Sequence, residues 1–182
     1  MGSRIELVRL LDESGTEIGT ADKSLVHGSN TPLHLAFSCH VFDGEGHTLL
    51  TRRALTKLTW PGVWTNSFCG HPTPGESFEQ AIVRRAAQEL NLRVTAIQPA
   101  LPDFRYRAVD ASGVVENEIC PVFTAVVVDD GVISPNPHEV SEWAWAPIVD
   151  VEEAVMAAPF AFSPWLVRQI AEGIYTGGTL PN

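Results

Sequence analysis

The segment from Trp60 to Gly75, WPGVWTNSFCGHPTPG, constrains the fold most. It places three prolines and three glycines in sixteen residues. Proline removes a backbone donor and fixes φ, and glycine weakens both helices and strands, so this run should be a long shaped loop. A helix should follow at once. Ser77 and Gln80 have the spacing of a capping box, and Phe78, Ala81, Ile82, Arg85, Ala86 and Glu89 fall on one helical face. Phe78, Ile82 and the alanines suit a core. Arg85 and Glu89 on that same face mean that the helix turns two charges inward near its end.

Strands are expected on both sides of this loop and helix. IELVRLLD and the stretch beginning HLAFSCHVFD read as strands, and DGEG followed by HTLLTR is a hairpin signal. Further strands are expected at RVTAIQ, DFRYRAV, VVENEICPVFTAVVV and EWAWAPI, with short helices around VEEAVMAA and SPWLVRQIAEG. The whole is one α/β (α+β) domain over residues 1–182: a mixed sheet with helices against it and no internal repeat. Its core spans about 23–175, residues 1–22 form an N-terminal strand region, and 176–182 form a flexible tail.

Twenty-two acidic residues against twelve basic ones give a formal charge of -10. That excludes a general nucleic-acid or anionic-membrane binder, whose affinity rests on basic surface. A small anionic substrate needs only a local basic cluster or bound cations. The first residues lack a long apolar run, so neither a signal peptide nor a membrane span is expected. Cys39, Cys69 and Cys120 are an odd number without CxxC spacing, which suits a reducing cytoplasm rather than a disulfide framework.

Five residues stand out, either as a metal-ligand set or as ordinary surface and core residues: His27, His34, His71, Glu116 and Glu118. The two glutamates lie one residue apart on a strand, so both point to one face. Adjacent buried carboxylates repel unless a positive charge sits between them, and a divalent cation held by imidazole and carboxylate would supply it. Cys69, in the loop before His71, is either a small buried apolar residue or a thiol with acid/base work to do. Arg52, Arg53 and Lys57 cluster at a turn, with Arg84 and Arg85 on the helix and Lys23 upstream. They form either a phosphate site or a solvated basic face. His40, His47, His138, Cys39 and Cys120 belong to no constellation.

The segment TRRALTKLTWPGVWTNSFCGHPTPGES resembles the signature stretch of type I isopentenyl-diphosphate isomerases. KSLVH, LHLAFS, DFRYRA, ENEICPVF and AFSPW resemble that family elsewhere, in matching order from about Lys23 to Trp165. The resemblance implies a Nudix-like fold, a mixed sheet sandwiched by helices in one compact domain. It implies one metal, Mn²⁺, Zn²⁺ or Mg²⁺, on His27, His34, His71, Glu116 and Glu118. It implies a second, Mg²⁺, on Glu89 and the Cys69 backbone carbonyl, shared with the substrate's diphosphate. No organic cofactor is expected. Lys23, Arg53, Lys57 and Arg85 match the diphosphate-binding positions. Cys69 and Glu118 match the acid/base pair, one on each side of the five-carbon unit, with Tyr106 tuning Glu118. Trp165 matches the residue that covers the site, though in SPWL it equally suits a core. A monomer acting on a small isoprenoid diphosphate follows from the same resemblance.

The Nudix box, G-x5-E-x7-R-E-U-x-E-E-x-G-U, aligns from Gly70 through Glu76 and Arg84 to Leu92. Arg85 replaces the glutamate after the arginine, and Gln88 the first of the paired glutamates, while Glu89 keeps the second. Asn91 replaces the glycine, and asparagine tolerates left-handed geometry, so the helix end should survive. A competing reading is a Nudix-type diphosphohydrolase, which would need the carboxylates missing at 85 and 88 to gather metals. A third is a non-catalytic metal-binding module, which the retention of Cys69, Glu118, Tyr106 and both ligand sets argues against.

Overall fold

The computed structural model describes residues 6–128 and 132–176. The tail expected to be flexible lies, apart from Thr176, outside the described residues. Among the described residues, twelve strands and four α-helices follow one another as β1 (Leu7–Leu11), β2 (Glu17–Asp22), α1 (Lys23–Val26), β3 (His34–Leu35), β4 (Phe37–Phe42), β5 (His47–Arg53), β6 (Trp64–Thr65), β7 (Phe68–Gly70), α2 (Phe78–Leu90), β8 (Val94–Leu101), β9 (Arg105–Val109), β10 (Val115–Ile119), β11 (Val122–Val127), β12 (Val140–Pro147), α3 (Ile148–Ala157) and α4 (Pro164–Ala171).

They build two mixed sheets where the sequence suggested one. The smaller runs β2-β1-β3-β10-β9 and the larger β12-β5-β4-β11-β8. The two are stitched by a pair of chains that change sheets together. β3 and β10 pair in parallel, and so do their continuations β4 and β11. Across the crossing, Ala36 N–H donates to Ile119 O at 2.9 Å and Ser38 N–H to Pro121 O at 3.1 Å. Pro121 has no N–H to pair, which suits the point where β10 ends and β11 begins.

Alternation along β4 and β5 sorts side chains onto the two faces of the larger sheet. Phe37, Cys39, Val41 and Leu49 pack with Ile82, Ala86 and Leu90 of α2. Phe42 and Leu50 pack on the opposite face with Val151 and Val155 of α3 and Leu166 and Ile170 of α4. This sheet is therefore sandwiched by helices, as expected, and the smaller sheet stands beside it.

The Trp60–Gly75 run is not wholly irregular, contrary to the sequence reading. Trp64–Thr65 adds to β5 and Phe68–Gly70 adds to β4. The neighbouring strands supply the pairing partners that local sequence does not reveal. β2 and the single turn α1 were likewise not legible, because β2 is held by its pairing with β1 rather than by an apolar face.

The capping box of α2 forms as expected: Gln80 N–H donates to Ser77 Oγ at 3.2 Å, and Ser77 N–H to Gln80 Oε1 at 3.0 Å. At the other end Asn91 takes φ 53°, ψ 36°, with its N–H directed to the Ala86 and Ala87 carbonyls. Asn91→Ala should therefore cost about 1 kcal/mol, since a Cβ without a local side-chain hydrogen bond is disfavoured in that region. Asn91→Gly should leave stability equal or higher. Urea unfolding of the two variants checks this; equal midpoints for alanine and glycine would refute it.

Candidate active site

The site lies where the two sheets part, in a cavity of about 530 Å³. β10 provides its floor. Glu118 pairs across the ladder with His34 of β3 on one side and Tyr106 of β9 on the other, so three candidate side chains share one face. His71, at the end of β7, is carried there by the pairing of β7 with β4. His27 follows α1.

The three imidazoles form a triangle, with ring centroids 5.2 Å apart for His27–His34 and His34–His71 and 6.0 Å for His27–His71. One donor atom from each, with one Glu118 oxygen, lies within 4.8 Å of every other in the set. Glu118 Oε1 is 3.2 Å from His71 Nε2 and 3.4 Å from His34 Nε2. Glu116 sits at the margin, 3.1 Å from His27 Nε2, while its other oxygen accepts from Thr59 Oγ1 at 2.7 Å. The glutamates are only 7% and 5% exposed. His27 Nε2, His34 Nε2, His71 Nδ1 and Glu116 Oε2 are buried without a hydrogen bond. Such orphans are costly in a dry interior. His34 Nδ1 lies 2.9 Å from Pro32 O, which accepts its hydrogen and leaves the Nε2 lone pair facing the cluster. Inward lone pairs, a fixed tautomer and two carboxylates suit a divalent cation.

Electrostatics divide the titratable groups. Burial would raise Glu118, but the imidazoles of His34 and His71 beside it outweigh that and hold the carboxyl well below its usual range. Burial pushes the Cys69 thiol up to about 11. Tyr106 is raised by burial and then by the charges of Glu118 and Glu116, so it stays a phenol. Cys69 and Glu118 thus begin with one proton between them.

Of the basic residues grouped in the sequence, the structure keeps four at the cavity and removes two. Lys23, Arg53, Lys57 and Arg85 line it. Arg52 is turned away to Glu142 and Gly62 O. Arg84 clamps the loop before α2, donating to Glu76 at 2.7 and 2.8 Å and to His71 O at 3.1 Å. The four cations are held in place by protein acceptors: Lys23 by Glu6 at 3.0 Å, Lys57 by Glu139, Arg85 by Glu89 and Glu139, and Arg53 by the carbonyls of Thr59 and Trp60. Lys57 and Arg85 hold the Glu139 carboxyl at about 2 against the opposing effect of burial. Glu89, expected beside the Cys69 carbonyl, borders a smaller adjoining cavity with Cys69, Arg53, Lys57 and Glu139. Sequence reasoning missed Glu139, because the loop holding it is remote in sequence from the cations it bridges.

Trp165 is buried at the cavity wall between Trp60 and Tyr106, with centroids 5.6 and 5.7 Å away. The Arg53 guanidinium sits 5.2 Å over its ring, and Trp165 Nε1–H donates to Asn66 Oδ1 at 2.9 Å. Asn66 was also missed. It fixes Trp165 and Cys69 together, since Cys69 Sγ donates to the same oxygen at 3.5 Å.

Residues 32–166 match the NUDIX domain family. Among solved structures, a protein from Deinococcus radiodurans superposes with TM-score 0.69 at 19% identity, over 92% of this chain and 98% of its own. A MutT protein from Methanosarcina mazei Go1 gives 0.59 at 19% identity, over 82% and 97%. These two show the fold. Curated relatives are far nearer in sequence. The isopentenyl-diphosphate Delta-isomerase of Agromyces mediolanus is 58% identical, over 97% of this chain and 84% of its own length. That of Leifsonia xyli subsp. xyli is 58% identical, over 97% and 96%. A NUDIX fold, a cavity walled by four cations at one side and by Cys69 and Glu118 at the other, and this degree of identity agree: the chain belongs to the isopentenyl-diphosphate Delta-isomerase family of NUDIX-domain proteins.

Proposed function

We propose that this protein interconverts isopentenyl and dimethylallyl diphosphate, with Cys69 and Glu118 as the proton-transferring pair. The observation that carries this reading is a single cavity that holds Cys69, Glu118 and four cations together. The diphosphate docks against Lys23, Arg53, Lys57 and Arg85, exchanging their carboxylate and carbonyl partners for phosphate oxygens. Binding energy at that end orients the alkene at the other.

The alkene is unactivated, so a proton must be added to the terminal carbon, which leaves a tertiary cation. Loss of a proton from the adjacent methylene then gives the allylic isomer. One of the pair donates and the other accepts, and the roles exchange in the reverse reaction. Tyr106, opposite Glu118, supplies a phenolic hydrogen beside it. Trp165 turns aromatic surface toward the cation and, with Trp60, keeps out water that would capture it.

His27, His34, His71, Glu116 and Glu118 would hold one divalent cation, Mn²⁺, Zn²⁺ or Mg²⁺, and Glu89 with the Cys69 carbonyl a Mg²⁺ shared with the diphosphate. Bound there, such ions would offset the carboxylate charge and polarise the groups around them. The protein would act as a monomer in a reducing cytoplasm, where the Cys69 thiol survives.

A diphosphohydrolase is the second reading, favoured by the NUDIX fold itself. It needs carboxylates that gather metals and activate water. At two of those positions this chain has Arg85, which pairs with Glu89, and Gln88, which accepts from Arg84 at 3.2 Å.

Three outcomes are expected. Elemental analysis of the purified wild type should find a tightly held divalent ion, lost in His71→Ala and Glu116→Ala. A metal-free wild type that remains active would remove the cluster from the reaction. Cys69→Ala and Glu118→Gln should each lower kcat by about a thousandfold, the scale of general acid/base catalysis, while substrate still binds. Near-normal turnover of Cys69→Ala would eliminate the thiol. Incubated with isopentenyl diphosphate, Mg²⁺ and Mn²⁺ in deuterated water, the enzyme should place deuterium in the new methyl group, seen by proton NMR, with phosphate release at background. Rapid phosphate release without alkene migration would establish the hydrolase instead.

A further inference from the structure

β4 turns two polar side chains, Ser38 and His40, onto the face otherwise packed against α3 and α4, and both are completely buried. Buried polar groups must find partners. Theirs come from the far end of the chain, Gln169 of α4 and Tyr175 beyond it. His40 Nδ1 lies 2.9 Å from the Tyr175 hydroxyl and His40 Nε2 2.9 Å from Gln169 Oε1. Gln169 Nε2 donates to Ser38 Oγ at 2.9 Å, and Ser38 Oγ lies 3.3 Å from Cys69 Sγ. The row starts at Tyr175, just after α4, and ends on the sulfur at the cavity wall.

We propose that Tyr175, His40, Gln169 and Ser38 form a directed hydrogen-bond chain that aims the Ser38 hydroxyl hydrogen at Cys69 Sγ, making Ser38 a positioning residue for the isomerisation. This rests on the reading of Cys69 given above.

The direction follows from the other side of the sulfur. Asn66 Nδ2 donates to Cys39 O at 3.0 Å and Phe68 O at 2.9 Å, so its amide cannot be turned over, and Oδ1 faces Cys69 and the Trp165 indole. Cys69 S–H donates to that oxygen, which leaves the sulfur lone pairs for a donor on the Ser38 side. With its hydrogen on Cys69, Ser38 Oγ accepts from the Gln169 amide. Gln169 Oε1 then accepts His40 Nε2–H, and Nδ1 accepts the Tyr175 hydrogen. A neutral imidazole with one N–H and one lone pair is required at the centre, and burial, pushing His40 down to about 4, keeps it neutral. The competing acceptor for the Ser38 hydrogen, Cys120 Sγ, is farther away at 3.5 Å.

A sulfur gripped on two sides keeps its rotamer against the alkene, and a donor already pointing at it needs no reorganisation during proton transfer. None of these residues reaches the diphosphate cations, so the effect should fall on kcat and leave KM unchanged.

Steady-state kinetics on Ser38→Ala and Gln169→Glu, with thermal unfolding of each and with Cys69→Ala assayed alongside, tests the chain. Ser38→Ala should lower kcat about tenfold, the order of one lost hydrogen bond, at unchanged KM. Gln169→Glu presents a carboxylate that takes the Ser38 hydrogen away from sulfur, and should lower kcat at least as much. Wild-type kcat in a folded Ser38→Ala overturns the proposal, as does a loss that appears in KM. Unfolding of Ser38→Ala at the assay temperature would assign the chain to stability alone and overturn it too. If Gln169→Glu does not fold, Ser38→Ala decides the matter. An active Cys69→Ala would instead remove the reading of Cys69 on which the proposal rests, whereas an inactive Cys69→Ala beside a normal Ser38→Ala removes the chain only.

Discussion

Two carboxylates on one face of β10, both nearly sealed from water, are the constraint around which the rest is arranged. An ionised carboxylate in a dry interior is costly unless paired and hydrogen-bonded. Glu118 is met by His34 and His71, and Glu116 by Thr59 and His27. Those partners arrive from β3, the end of β7, the loop after β5 and the residue after α1. Satisfying two glutamates therefore fixes how four separate segments converge. His27 Nε2, His34 Nε2 and Glu116 Oε2 stay unpaired beside these carboxylates, and a cation there would relieve them.

The same logic, with signs reversed, governs the opposite wall. A chain with a net charge of -10 gathers four cations at one cavity. Glu6, Glu89 and Glu139 hold three of them. Paired cations can be kept half-buried at modest cost. Arg85 illustrates how little separates two chemistries on one fold. A glutamate in its place would suit a metal ligand for water activation, whereas a guanidinium held by Glu89 and Glu139 would suit a phosphate.

Between these walls aromatic side chains pack beside Cys69. Trp60, Trp165 and Tyr106 pack edge to face and tilted around the cavity, and Asn66 ties the indole of Trp165 to the thiol of Cys69. Trp60 accepts a positive φ of 43° to reach this position, its N–H held by Asp110 Oδ2 at 2.9 Å. Strain of this kind persists where surrounding contacts over-determine it, and it lies here beside the site.

Sequence alone determined what is local or periodic. The capping box of Ser77 and Gln80, the left-handed end at Asn91, the alternation that sends Glu116 and Glu118 to one face, and the strands with apolar alternation all follow from short-range sterics and side-chain direction. The loop motif, with the two glutamates, further marked the family and hence the candidate ligands. Tertiary structure decided whatever depends on partners distant in the chain. β6 and β7 exist because β5 and β4 offer them an edge, and β2 because β1 does. Arg52 left the basic cluster because Glu142 lies across from it, whereas Lys57 and Arg85 stayed because Glu139 bridges them. His40, solitary in the sequence, became the centre of a buried row reaching Cys69 because Gln169, 129 residues away, packs onto β4. Hydrogen bonds and ion pairs have steep distance and angle requirements, and only the packing of sheets against helices brings such groups within them.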